Sequence, residues 1–199
     1  MKKVLLTAAA VLSLTFVNAQ EEKGTGSGFS KGSTFVSGGF SLTSTNNKNT
    51  NEKTSGFGIE PKIGYFVSEK IAVGAKFGYA SDKSKNATVD LSDDSTMSVG
   101  IFGRYYTTAS SQFSLFGQLG FDYVTIKDNM TNGMTVNGWG LAFTPGINYF
   151  VSDNWAVEAT IGSLGYGSAK ADVAGAKEVS AFDLSLDLRA ISFGVNYKF

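Results

Sequence analysis

The sequence predicts an all-β fold, an eight-stranded antiparallel up-and-down barrel whose strands cross a membrane. Three observations support this prediction. From residue 32 onward apolar and polar residues alternate with a period of two, which is the period of a β-strand. The alternating segments are joined by connections that are short and long in turn. The 199 residues include 24 Gly, only 2 Pro and 13% aromatic residues, a composition that favours β-sheet.

The first residues have the pattern of a cleaved export signal. A basic start is followed by an apolar stretch from Val4 to Val17, and Asn18-Ala19 then provides small side chains for cleavage. The stretch is shorter than the roughly 20 apolar residues that a transmembrane helix requires. We expect a signal peptide over residues 1–19, a flexible periplasmic leader over 20–31 and the β-barrel domain over 32–199.

Eight alternating segments follow in order along the chain. They span approximately Ser33–Ser44, Ser55–Val67, Ile71–Ser81, Ser95–Thr107, Gln112–Lys127, Thr135–Val151, Trp155–Ser168 and Val179–Phe199. The first, third, fifth and seventh connections, over 45–54, 82–94, 128–134 and 169–178, are long and polar, whereas those between them are only three or four residues long. All short turns are therefore expected at one end of the barrel, together with both chain ends.

An internal repeat supports this division into strands. Phe57–Gly78 aligns with Leu141–Gly162 at an offset of 84 residues, and 10 of the 22 aligned positions are identical. Each copy contains two strands and a short turn, so the offset corresponds to four strands. Similarity at a fixed period usually marks repeated structure, here two similar halves of one closed barrel.

The two faces of each strand differ in charge. In the third strand Ile71, Val73, Ala75, Phe77 and Tyr79 share one face, and no outward position assigned in this way in any strand is charged. A charge that faces the middle of a bilayer costs roughly 2–4 kcal/mol, which explains such avoidance. The uncharged faces are therefore predicted to contact outer-membrane lipid.

The opposite faces carry the charges of the strands. Five acids and four bases fall there: Glu60, Lys62, Lys76, Arg104, Asp122, Glu158, Asp183, Asp187 and Arg189. An eight-stranded barrel is only wide enough for side chains to fill it, and buried charges are generally paired. We expect these nine residues to form an ion-pair network that plugs the lumen. A proton or ion path is the functional alternative.

The last strand requires one irregularity. Its apolar positions are even-numbered from Phe182 to Leu188 and odd-numbered from Ile191 to Phe199. One extra residue restores the alternation, so the sequence predicts a β-bulge near Arg189-Ala190.

Composition excludes much chemistry. The chain has neither His nor Cys, which excludes Ser–His and Cys–His catalytic units, imidazole metal ligands and disulfides. No catalytic, cofactor-binding or metal site is predicted; for the acidic segment Asp90–Asp94, a solvated loop is favoured over a cation site because it lacks the EF-hand spacing. Lys+Arg 17 balances Asp+Glu 17, so no nucleic acid partner is expected.

These residues resemble the small eight-stranded outer-membrane β-barrel families of Gram-negative bacteria, broadly OmpA/OmpX-like and more narrowly the outer membrane protein beta-barrel domain of Bacteroidetes. The resemblance rests on the export signal, the eight alternating segments and the alternating terminal strand that ends at Phe199. In such families a final aromatic residue, with apolar residues at alternate positions before it, is read by the outer-membrane assembly machinery. Phe193, Val195, Tyr197 and Phe199 match that pattern.

The first functional hypothesis is a monomeric barrel of the cell outer membrane with a structural or surface-interaction role, a plugged polar lumen and four short extracellular loops. Any specific surface ligand would bind the loops, but they contain few aromatic anchors that could identify it. Two alternatives remain open: a soluble lipocalin-like barrel that binds a hydrophobic ligand, and a small-solute pore. The soluble barrel predicts the reverse sidedness, with apolar residues inside.

Overall fold

A computed structural model describes residues 27–48, 51–86, 89–130, 133–185 and 191–199. The predicted signal peptide and residues 20–26 of the predicted leader lie outside the described residues. The strands are β1 (Thr34–Asn47), β2 (Glu52–Phe66), β3 (Ile71–Lys85), β4 (Asp90–Tyr106), β5 (Phe113–Asp128), β6 (Thr135–Phe150), β7 (Trp155–Ile161), β8 (Ser163–Ala171), β9 (Val179–Ser185) and β10 (Ile191–Lys198). No helix in these ranges is long and apolar enough to cross a membrane.

The strands form one antiparallel sheet that closes on itself. Neighbouring strands pair in chain order from β1 to β6, and β10 pairs with both β1 and β7. β7 and β8 together form the seventh predicted strand, since both pair with β6, and β9 and β10 belong to the eighth. The prediction of an eight-stranded antiparallel barrel is confirmed.

A β-bulge that the sequence analysis did not predict separates β7 from β8. Gly146 faces Thr160 and Phe143 faces Leu164, so three residues of the seventh strand oppose two of β6. Gly162 lies in the bulge with φ +68°, a conformation that favours glycine. The bulge switches the outward positions from odd-numbered to even-numbered. The bulge predicted near Arg189-Ala190 lies outside the described residues.

Two of the predicted long loops are mostly strand. β1 continues to Asn47 and pairs with Glu52 of β2, while β3 continues to Lys85, which pairs with Asp90 of β4. The sequence analysis ended these strands at Ser44 and Ser81, one or two residues after the last apolar residue. Ser, Thr, Asn and Lys also form an antiparallel ladder, because its hydrogen bonds join backbone groups.

The internal repeat has a structural counterpart in two short turns. Val67 and Val151 donate backbone hydrogen bonds to the carbonyl oxygens of Ile71 and Trp155, at 3.0 and 2.8 Å. In each turn a serine hydroxyl, of Ser68 or Ser152, accepts a hydrogen bond from the amide three residues later, at 3.0 and 3.1 Å. The two copies therefore fold as equivalent hairpins.

The apolar side chains of the strands point outward. Phe77, Leu119, Phe121 and Leu141 are among the many large apolar residues that are exposed on the wall, whereas Arg104 and Glu158 are buried inside. A soluble barrel that binds a hydrophobic ligand requires the opposite arrangement. The lumen is therefore the polar compartment of the molecule.

Candidate functional site in the lumen

The lumen is closed near the short turns by a cluster of aromatic rings, which we call the aromatic floor. Its members are buried and come from the first residues of the barrel and from β1, β2, β4, β5 and β6: Phe29, Phe35, Phe66, Phe102, Tyr106, Phe116 and Phe150. Phe29 lies at the centre of this cluster, with ring centroids 4.6 Å from Phe66 and 4.8 Å from Phe150. The floor leaves the lumen apolar and filled at this level.

Each floor ring from the wall strands faces a small residue or another ring on the next strand. Phe35 is the direct cross-strand partner of Gly64, Phe102 of Gly74, and Phe116 of Gly146. Phe66 and Phe150 face Ala72 and Ala156 in the same way. The small residues leave room for the rings to lie across the narrow lumen. The floor therefore requires a ring on one strand and a small residue at the paired position of the neighbouring strand.

The segment before β1 completes the floor. The Phe29 amide donates to the Ala109 carbonyl oxygen at 2.7 Å, and Lys198 Nζ donates to the Gly28 carbonyl oxygen at 2.6 Å. Gly28 has φ +143°, and a Cβ atom there would lie 2.4 Å from the backbone of Ser110. The sequence analysis assigned residues 20–31 to a flexible leader, but Ser27, Gly28 and Phe29 contact the barrel. A single apolar side chain among Gly and Ser gave no periodic signal, yet Phe29 is fully enclosed.

Arg104 lies on the aromatic floor and organises a polar layer above it. Its guanidinium carbon is 4.1 Å from the Phe116 ring centroid, within the range of a cation–π contact. Nη1 donates to Glu158 Oε2 at 2.8 Å and to the Tyr106 hydroxyl at 3.0 Å, while Nε and Nη2 donate to Gln118 Oε1 at 3.1 and 2.7 Å. The charge is thus paired, and each guanidinium nitrogen has a partner.

Two asparagines extend this layer across the lumen. Asn196 Nδ2 donates to Glu158 Oε2 at 3.0 Å and to Asn148 Oδ1 at 2.8 Å. Glu158 therefore accepts from both Arg104 and Asn196. Ser37 Oγ, Asn148 Nδ2 and Asn196 Oδ1 have no hydrogen-bond partner among the described residues.

Two further ion pairs lie above the Arg104 layer. Lys76 Nζ is 2.8 Å from Asp122 Oδ2, and Lys62 Nζ is 3.0 Å from Glu60 Oε1. The structure thus arranges six of the nine sequence-predicted lumen charges as three separate pairs.

The remaining three charges do not enlarge this set. Asp183 lies on β9, where its side chain is exposed and has no ion-pair partner among the described residues. Asp187 and Arg189 lie outside the described residues. The alternation of residues along the strand placed Asp183 on the inner face of the barrel. It did not show how far β9 lies from the three ion pairs of the lumen.

One more ion pair lies at the strand ends beyond the apolar band. Lys83 Nζ and Asp93 Oδ2 are 2.7 Å apart, and Asn129 also donates to Asp93. These hydrogen bonds hold the pKa of Asp93 below its ordinary value. Asp93 belongs to the acidic segment considered as a cation site, and the described residues bring together no group of three acidic side chains that could hold a metal ion.

The four residues of the predicted assembly signal lie on β10 and just after it. Phe193 and Val195 are exposed on the outer face. The Tyr197 ring contacts Trp155 and Phe199, with centroids 4.9 Å away in both cases. The Phe199 amide donates to the Thr34 carbonyl oxygen at 3.0 Å, so the last strand is joined to the first.

The sequence analysis missed the aromatic floor. Phe66, Tyr106, Phe116 and Phe150 are even-numbered, like six of the nine predicted lumen charges, and each lies within four residues of a short turn. Their parity could have identified them as lumen residues. Aromatic residues are common on both faces of β-strands, however, so their presence alone did not indicate an apolar layer in the lumen.

Comparison with known proteins gives one family. Residues 6–199 match the family described as outer membrane protein beta-barrel domain. Among solved structures, OprG from Pseudomonas aeruginosa is similar, with a TM-score of 0.55 and 19% identity over 86% of this chain and 98% of that chain. Neisserial surface protein A gives a TM-score of 0.49 and 17% identity over 84% and 96% of the two chains. No curated protein matches. At such identity the likeness to OprG supports the fold.

Proposed function

The chain belongs to the family of outer membrane protein β-barrel domains, and we propose that it has a structural or surface-interaction role in the cell outer membrane, with a plugged lumen that does not conduct solutes. Its wall faces lipid with apolar side chains such as Leu119 and Phe121. The proposed barrel is a monomer, since its own strands pair around the circumference.

The observation that carries this proposal is the closure of the lumen at two successive levels. The aromatic floor fills the lumen near the short turns, and Phe29 fills the space between its rings. Arg104 and Glu158 lie directly above it, and both are buried. An ion that crossed both levels would have to displace the rings and separate a buried charge pair. A buried charge that is left without its partner costs about 3–5 kcal/mol, so such a separation is strongly unfavourable.

The same contacts argue against catalysis, and we propose no enzymatic activity. Among the described lumen carboxylates Glu158 is the most enclosed, and it accepts hydrogen bonds from Arg104 and Asn196. A carboxylate held in this way is committed to charge pairing rather than to proton transfer.

The surface role is assigned to the long hairpins at the end opposite the short turns. Their ends carry polar side chains, including Asn47, Glu52, Lys85 and Asp90. We place these hairpins outside the cell, because outer-membrane barrels have short periplasmic turns and longer extracellular loops. Any partner at the cell surface would meet these residues first.

Solute uptake by proteoliposomes tests the plugged lumen. Vesicles that contain the purified chain are diluted into an isotonic sugar solution, and swelling is followed by light scattering. The proposal predicts the same swelling rate as in vesicles without protein. Swelling that increases with the amount of inserted protein would contradict it.

Surface labelling tests the orientation separately. The chain has no cysteine, so single cysteines at Asn129 in a long hairpin and at Asp153 in a short turn provide unique labels. A membrane-impermeant maleimide added to intact cells should modify the first variant and not the second. Labelling at Asp153 alone would reverse the assigned orientation.

A further inference from the structure

The outward face of the wall changes character where the long hairpins begin. On β3 the outward positions are uncharged from Ile71 to Tyr79, and the next ones on that face are Ser81, Lys83 and Lys85. The uncharged part has about the 9–11 residues that a tilted strand needs to cross a bilayer. The two lysines therefore lie at the height of lipid head groups rather than of acyl chains.

Two lysines at this height face each other across neighbouring strands. Lys53 of β2 and Lys85 of β3 are direct cross-strand partners, and Ser55 pairs with Lys83 on the same face. Like charges directly opposite each other destabilise a sheet. Within the described ranges neither Lys53 nor Lys85 forms an ion pair, whereas Lys83 pairs with Asp93 at 2.7 Å. An anion between the two ammonium groups would relieve their repulsion.

The two faces of the wall carry opposite charges at this height. The positions that alternate with Lys53 and Lys83 face the lumen, and they include Glu52 and Asp82. Asp94 of β4 is the cross-strand partner of Asp82 and lies on the same face. The bases are thus directed toward the lipid head groups and these acids toward the lumen.

A cavity of about 530 Å³, which we call the lysine cleft, adjoins Lys53, Lys83 and Lys85. Its other lining residues come from β1, β2 and β4 and offer hydroxyl, amide and carboxylate groups, as at Ser44 and Asp90. Among the described residues, no apolar one lines it. The volume falls within the usual range of about 300–1,000 Å³ for ligand pockets. A cleft of this size and polarity fits a lipid head group and not an acyl chain.

The mixture of groups in the cleft selects the kind of head group. Lysine binds phosphate as a point charge, and two ammonium groups provide six donors. Asp90 is exposed at the same cleft and repels a bare phosphate, but its carboxylate accepts hydrogen bonds from hydroxyl groups. A head group that combines a phosphate with sugar hydroxyls satisfies both the lysines and the carboxylate.

We propose that the lysine cleft binds the head group of a phosphorylated glycolipid in the leaflet on the side of the long hairpins. Its phosphate lies between Lys53 and Lys85, and its sugar hydroxyls contact Asp90. Its acyl chains follow the outer wall past Phe57 and Tyr79, which are exposed on the same face below the cleft. This inference goes beyond the structural or surface-interaction role and does not depend on the closed lumen, because the cleft lies on the outer face.

Native mass spectrometry of the folded chain in detergent tests the proposal. Diphosphoryl lipid A, a phosphorylated glycolipid, is the probe, and saturable binding of one lipid per barrel is expected. Two further lipids each lack one part of its head group: phosphatidylglycerol has a phosphate without a sugar, and digalactosyldiacylglycerol has sugars without a phosphate. Each should bind more weakly than lipid A by roughly tenfold or more, since hydrogen bonds to a charged group are lost or its repulsion by Asp90 is left unrelieved.

Matched variants locate the phosphate. Lys53→Gln with Lys85→Gln should weaken binding of lipid A by roughly tenfold or more, whereas Lys53→Arg with Lys85→Arg should retain it. Lys127→Gln with Lys170→Gln removes the same charge from β5 and β8, outside the cleft lining, and should leave the affinity unchanged. Heat-modifiable gel migration verifies folding, and Lys85→Gln alone serves if the pair does not fold.

A stability measurement separates a binding role from a structural one. In phosphatidylcholine vesicles without lipid A, Lys53→Gln with Lys85→Gln should unfold at a higher urea concentration than the wild type, because the repulsion between the lysines is removed. Added lipid A should raise the unfolding midpoint of the wild type and not that of the variant.

Three results would overturn the proposal. The first is the absence of a saturable lipid A complex with the wild type. The second is equal affinity for lipid A and for either of the two partial lipids, which would show that the cleft does not recognise phosphate and sugar together. The third is the same affinity in the Lys53/Lys85 variant as in the Lys127/Lys170 variant. A conducting or a closed lumen would not alter any of these results.

Discussion

Phe35 on β1 and Gly64 on β2 are direct cross-strand partners, and the Phe35 ring covers the glycine. A Cβ atom built on Gly64 would lie 2.3 Å from Cζ of that ring. The ring can cross the lumen only because its partner has no side chain. The same relationship joins Phe102 to Gly74 and Phe116 to Gly146, so the closed lumen depends on pairs of neighbouring strands.

Gly64→Val should therefore destabilise the barrel. The added side chain has to displace the Phe35 ring, and overpacking of this kind costs about 1–3 kcal/mol. The measurement is the free energy of unfolding from urea titration in lipid vesicles. Gly103→Val is the matched control, because nothing lies within 4 Å of a Cβ atom there. Equal stability of the two variants would contradict the tight floor.

Parts of this arrangement follow directly from the sequence. The outward face of each strand could be predicted because a bilayer excludes charge along the whole strand, as at Ile71 and Val73. Pairing of Lys76 with Asp122 requires only that two opposite charges face the same narrow lumen. Such features repeat along the chain and leave a periodic signal.

Other parts depend on single residues and left no such signal. Phe29 is one apolar residue in a Gly- and Ser-rich segment, and most of the rings around it come from distant parts of the chain, such as Phe66 and Phe150. The bulge at Gly162 depends on one positive φ angle.

The buried pair of Arg104 and Glu158 should respond differently to single and double replacement. Arg104→Met leaves Glu158 charged and buried, which costs about 3–5 kcal/mol. Arg104→Met with Glu158→Met removes both charges and should recover most of that loss. Urea titration measures both variants. A double variant that is less stable than Arg104→Met would show that the pair is not the main contribution at this level.

Phe29→Ala should release the segment before β1 from the floor. Truncating a buried Phe costs about 3–5 kcal/mol. Amide hydrogen exchange at Phe29 and Gly32, which bond to the carbonyl oxygens of Ala109 and Phe66, should accelerate by roughly a hundredfold or more. Phe121→Ala on the outer wall is the control and should leave these two amides protected. Unchanged exchange in Phe29→Ala would contradict the anchoring role of the ring.

Phe199→Ser should lower the fraction of chain that is assembled in the outer membrane. The replacement removes the aromatic residue that is predicted to be read by the assembly machinery and the ring contact with Tyr197. Heat-modifiable gel migration of outer-membrane fractions measures folded protein. Phe121→Ser is also lipid-facing and controls for the loss of an apolar contact. If both variants assemble to the same extent, Phe199 has no specific role as a signal.

Single-channel recording in planar bilayers tests the closed lumen most directly. The aromatic floor and the Arg104 layer predict that the inserted wild-type chain gives no steady conductance at any applied voltage below that of bilayer breakdown. Insertion is verified in the same bilayers by an antibody raised against the long hairpins. Steady conductance steps from the verified wild-type protein would contradict the account.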